Sequence, residues 1–156
     1  MDTNTFYAVT SATCFTLVGL WWSVVKDKTD WFKDEAKKRI AGGVYASFLI
    51  PALMSLGAQV SGENSLIWQG VFIVAAGAGI RYSSQLIGTI RQAHPDGTFA
   101  KYSWAVPVLY AIVLFFALFP RLAGIFGLTG LQLEAIILCL LILCAHVLAW
   151  ESATSA

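Results

Sequence analysis

Five apolar stretches, each close to the length of a membrane crossing, leave this chain little choice of fold. They are Phe6–Val25, Ile40–Val60, Leu66–Ile90, Ser103–Phe119 and Leu131–Trp150. About 30 Å of hydrocarbon is crossed by roughly 20 helical residues. The pattern predicts an all-α, polytopic membrane bundle of five transmembrane helices in a single domain, 1–156. The fourth stretch is the shortest. Only 12% of the residues are charged, against about 25% in soluble domains. The lipid bilayer is therefore the first partner the sequence names.

The few charges are segregated. Six basic residues lie between Lys26 and Arg39, and none between Val106 and Phe119. The loops after the first and third stretches hold Lys26, Lys28, Lys33, Lys37, Lys38, Arg39, Arg91 and Lys101, while the other side has Arg121 alone. Cytoplasmic loops carry the excess of Lys and Arg. This predicts an N-terminus outside and a C-terminus in the cytoplasm, in a multi-pass protein of the cell (inner or plasma) membrane. Trp21, Trp22, Tyr102, Trp104 and Trp150 are expected near the inner boundary and Trp68 near the outer one. The N-terminus lacks the basic region of a signal peptide, so the first stretch is predicted to be a retained span.

Local signals place the ends. Asp30 is predicted to cap a helical foot, 30–39, with Asp34–Lys38 and Glu35–Arg39 pairs and with Trp31 and Phe32 against the membrane surface. That foot is expected to run into the second span. Thr129 and Gln132 form a capping box opening the fifth span. His94-Pro95-Asp96-Gly97 reads as a turn, and Pro120 closes the fourth span. Pro51 frees the Ser47 carbonyl, so a bend is expected in the second span. Small residues four apart, among them Gly43 with Ser47 and Ala75 with Gly79 and Ser83, make spans two and three the expected packed centre.

One charge sits inside an apolar stretch. Arg81 lies fifteen residues past Leu66, about 22 Å along a helix. Two readings follow. The side chain snorkels to lipid phosphates, or it faces the interior and needs a partner. At the same depth lie Tyr45, Tyr110 and His146, but no carboxylate. An inward Arg81 is then expected to form, with Tyr45, Tyr110 and His146, a site for a small anion or anionic headgroup. Glu134, early in the fifth span, is expected to be structural, favoured by the helix N-terminus and able to pair with Arg121; a selectivity ring in an oligomer is the lesser alternative.

Other chemistry finds little support. Cys139 and His146 are seven residues apart on one helix, too far for one zinc site. No nucleophile–base pair, paired carboxylates or phosphate loop appears, so no enzyme activity, metal or cofactor is expected. No basic stripe suggests nucleic acid. In length, span number and tryptophan content the chain resembles the tryptophan-rich sensory proteins. Its Trp21-Trp22 pair lies inside a span, however, with no proline-rich tryptophan motif after it, and no residue role is carried over.

Three classes of function follow. The first is an oligomeric channel or transporter-like passage for a small ion or solute. The second is a non-catalytic accessory, assembly or sensory subunit, docking a membrane-protein partner through Lys26–Arg39. The third is a small membrane enzyme or cofactor carrier.

Overall fold

A computed structural model describes residues 2–62, 64–93 and 97–154. His94, Pro95 and Asp96 of the expected turn lie outside them. Among the described residues the regular structure is helical: α1 (Thr3–Lys26), α2 (Glu35–Ser61), α3 (Ser65–Ala93), a short α4 (Thr98–Tyr102), α5 (Ala105–Leu118) and α6 (Gly130–Thr154). Four of these, α1, α2, α3 and α6, are long and apolar enough to cross a membrane. The fifth candidate is a bent pair, by length and composition a broken span or a re-entrant loop. α5 has 14 residues, about 21 Å at 1.5 Å per residue. It stops before Pro120, and the 3-10 turn Pro120–Phe126 leaves it at 105°.

The long helices run antiparallel to their chain neighbours, so the bundle has two ends. One, here the basic end, carries Lys26–Arg39, Arg91 and Lys101. The other carries the α2–α3 link, Pro120–Phe126 and the start of α6. α2 is central and packs against α1, α3 and α6. Close approach there depends on missing side chains. A Cβ on Gly57 would lie 2.6 Å from Val71, and one on Gly43 would collide with Leu86. On α3, a Cβ on Gly79 would lie 2.6 Å from the Tyr110 ring of α5. Without a hydrophobic drive between helices in lipid, such contacts carry association.

Two apolar cores stack along the bundle. The one at the basic end holds Trp21, Trp31, Val44, Phe48 and Leu148; the other holds Tyr7, Met54, Trp68, Phe72 and Leu138. At the basic end, the Trp21 indole N–H donates to the Ala41 carbonyl at 3.0 Å. The Glu151 carboxylate accepts from the Phe99 N–H at 2.8 Å, satisfying an open donor in the first turn of α4.

Several local expectations change. The cap of α2 is Asp34, not Asp30: its side chain accepts from the amides of Ala36 and Lys37. Asp30 belongs instead to a separate 3-10 turn, Thr29–Phe32. The foot is thus broken at Lys33–Asp34, and only Glu35 onward continues into the second span. Glu35 pairs with Lys38 at 3.5 Å, one residue earlier than Arg39. Of the two aromatics expected against the membrane surface, Phe32 is exposed but Trp31 is not. It is buried against Trp21, with 6.1 Å between ring centroids, and the Lys28 ammonium stands 4.5 Å over its ring. Trp68, expected at an interface, is buried beside Phe72. Trp22, Tyr102, Trp104 and Trp150 are exposed at the basic end, as an aromatic belt requires. The capping box is formed: the Gln132 N–H donates to the Thr129 hydroxyl and the Thr129 N–H to the Gln132 side chain.

Candidate functional site

The four residues expected around an anion do not meet. Gly79 and Ser83, one turn apart, face the bundle, with Gly79 against Tyr110. Arg81 lies two residues from each, about 200° around the helix, and is exposed on the outer surface. Tyr110 is buried on the inner side of the same helix pair. Tyr45 is exposed in a cleft with Trp21, Trp22 and Trp31. His146 is exposed and turned to its own helix: its Nδ1 lies 2.8 Å from the Ile142 carbonyl, which can only accept, so Nδ1 carries the hydrogen. Its ring meets Phe48 edge-on at 5.2 Å. The four stand at similar depth but on different faces.

A cavity of about 40 Å³ does open inside the basic half, lined by Gly43, Ser47, Ser83, Ser103, Tyr110 and Cys144 among others. It has room for a few waters. Its serine hydroxyls are already committed. Ser47 donates to Val44, Ser83 to Gly79 and Ser103 to Ala100, each a carbonyl of its own helical turn. No cation lines it, so it offers an anion little.

The unexpected group is Glu134. It does not pair with Arg121, which is exposed. Glu134 has no accessible surface, and neither carboxyl oxygen has a hydrogen-bond partner among the described residues. The capping box makes Gly130 the first residue of α6, so Glu134 lies beyond the first turn, where the free amides and the helix dipole would have helped it.

Its surroundings explain the isolation. Tyr7 of α1 is within electrostatic reach, but its hydroxyl donates to the Leu131 carbonyl at 2.8 Å. Gln59 of α2 holds the same level. Its amide donates to the Tyr7 carbonyl at 3.2 Å and the Ser55 carbonyl at 3.3 Å. The neighbouring core is aromatic, with Phe72 edge-on to both Tyr7 and Trp68. One turn deeper on α2, the Ser55 hydroxyl is also buried without a partner. The polar groups near the carboxyl thus tie helices to one another and leave it bare. A bare ionised carboxylate there costs several kcal/mol, so its charge must be neutralised, by its own proton or by a cation.

No signal of spacing marks this arrangement. Depth counting places Glu134 near the end of a span, where a carboxylate is ordinary. Its burial follows from how Tyr7, Trp68 and Gly130 close over that end: a Cβ on Gly130 would lie 3.2 Å from the Trp68 ring. Among the described residues no cluster of His, Cys, Asp or Glu is arranged to hold a metal.

No family model matches this chain, and neither does any curated protein or solved structure. What the fold defines is a class: an all-helical bundle with four helices long and apolar enough to cross a membrane, and a fifth, bent pair that passes the same test only when taken together.

Proposed function

We propose that the protein is a multi-pass protein of the cell membrane that passes a small ion across it, with Glu134 as the embedded group the ion meets. The observation that carries this reading is the complete burial of Glu134 without a hydrogen-bond partner among the described residues. Ionisable residues within membrane spans are costly, and where they occur they mark ion and proton pathways. The sign of the site favours a proton or small cation over the anion expected from Arg81. The charge pattern supports a C-terminus in the cytoplasm, which puts Glu134 in the outer half.

Assembly of several copies fits the same reading. Gly70, Val74, Gly77, Arg81, Ser84 and Gly88 share one exposed face of α3, spaced four and three apart. Small residues in such rows let a second helix approach.

Reconstituted vesicles test the reading. Proton and monovalent-cation gradients are applied to wild type, Glu134→Gln and Arg81→Leu, with an anion gradient as the parallel arm. The expected result is cation or proton flux that Glu134→Gln abolishes and Arg81→Leu retains. Anion flux lost in Arg81→Leu would return the site to the arginine. No flux from wild type would favour the accessory reading, for which the exposed Asp30, Lys33 and Lys37 offer a docking surface.

A further inference from the structure

We infer that the cleft between the basic end of α2 and the last turns of α3 is a binding site for an anionic phospholipid headgroup. The cleft measures about 480 Å³ and is lined by Arg39, Tyr82, Gln85, Leu86 and Thr89. On α3 the four lining residues follow a spacing of three, one and three, so they share one face. On α2, Arg39 stands three residues before Gly42. The Tyr82 hydroxyl crosses to that glycine, where a Cβ would lie only 3.1 Å from it. Tyr82 therefore closes the cleft on the membrane side and Arg39 closes it toward the basic end.

The polar groups here point to an anion. Arg39 has no ion pair among the described residues: the nearby acids are engaged, Glu35 with Lys38 at 3.5 Å and Asp34 with the amides of Ala36 and Lys37. The side chains of Tyr82, Gln85 and Thr89 are likewise without partners among the described residues. One guanidinium, two hydroxyls and an amide thus line one cleft with no carboxylate among them. Arginine presents a planar fork suited to phosphate oxygens.

Level and shape favour a lipid over a free anion. The exposed belt of Trp22, Tyr102, Trp104 and Trp150 marks this end of the bundle as the membrane–water boundary. Toward the other end, the same faces of α2 and α3 continue with Leu53 and Ile67, both exposed and apolar. They offer a track for acyl chains beside a headgroup held by Arg39. Basic pockets between spanning helices are a recognised setting for anionic lipid heads. A zwitterionic choline head adds a cation beside Arg39, with no carboxylate lining the cleft to pair with it.

Native mass spectrometry on the full chain tests this. Protein is released from vesicles containing equal phosphatidylglycerol and phosphatidylcholine, and retained lipid is counted for wild type, Arg39→Gln, Arg39→Lys and Lys33→Gln. Thermal unfolding in the same detergent confirms that each variant is folded. The expected result is preferential retention of phosphatidylglycerol, roughly five- to tenfold weaker in Arg39→Gln, partly restored in Arg39→Lys and unchanged in Lys33→Gln. Equal retention of the two lipids overturns the inference. So does equal loss in Arg39→Gln and Lys33→Gln, which would mean that net charge alone matters. Glycerol phosphate competing as well as whole lipid would show a free-anion site and contradict the lipid assignment.

Discussion

The Tyr7 hydroxyl donates to the Leu131 carbonyl at 2.8 Å, tying the start of α1 to the first turn of α6, 124 residues away in sequence. It is this tie that shuts the bundle over Glu134. Removing the hydroxyl removes one buried hydrogen bond. Tyr7→Phe should therefore lower stability by about 1 kcal/mol, measured by reversible unfolding in mixed micelles. An unchanged midpoint would mean that the two helices close without it.

Two glycines of α3 should respond oppositely to the same change. A Cβ on Gly79 would lie 2.6 Å from the Tyr110 ring, whereas one on Gly77 meets nothing within 4 Å. Gly79→Ala should destabilise by about 1–3 kcal/mol through overpacking. Gly77→Ala should be neutral or stabilising by about 0.5–1 kcal/mol, because alanine restricts the unfolded chain. Trimming Tyr110 to leucine in the Gly79→Ala background should restore part of the loss. Equal effects at the two glycines would contradict the α3–α5 packing.

The N-terminal cap should be sensitive to acid. Asp2, outside the span, accepts from the Thr5 N–H at 2.8 Å, and this bond holds its carboxyl below the ordinary value of 3.8. A carboxylate with a lowered pKa contributes stability that is present above the ordinary value and lost as pH falls through the lowered one. Hydrogen exchange at the Thr5 amide should accordingly be protected near neutrality, beyond the intrinsic pH dependence of exchange, and lose that protection at strongly acidic pH. Asp2→Ala should show weak protection at every pH. Asp2→Asn, a comparable cap, should keep protection without the acid loss.

Much of the scaffold is legible in the sequence, because the number of crossings, their ends and the depth of each polar residue follow from chain distance along a helix. Thr129 and Gln132 cap α6 as their spacing requires. Gly57 opposite Val71 and Gly43 opposite Leu86 set an antiparallel register that puts Arg81 level with Phe48, and Phe48 meets His146. What distance along a helix does not give is direction around it. Arg81 and Gly79 differ by two residues and by half a turn of the helix, and the inward position goes to the glycine, since a bulky Tyr110 needs the space. The isolation of Glu134 is not legible for a related reason. Its isolation depends on where Tyr7 and Gln59 direct their donors, and those bonds are tertiary. The broken foot is a local case: Asp30 and Asp34 are both reasonable caps, and the burial of Trp31 against Trp21 decides between them.

The ion-passage account stands or falls with Glu134, and a hydrophobic carbodiimide puts it to the most direct test. Such reagents enter lipid and modify protonated carboxyls there. Reconstituted wild type is treated, peptides are analysed for the adduct, and flux is followed in the same vesicles. The expected result is modification at Glu134 in preference to the exposed Glu35, with flux falling in proportion to the adduct and Glu134→Gln showing neither adduct nor flux. Flux that survives complete modification of Glu134, or an equal reaction at Glu35, would contradict it.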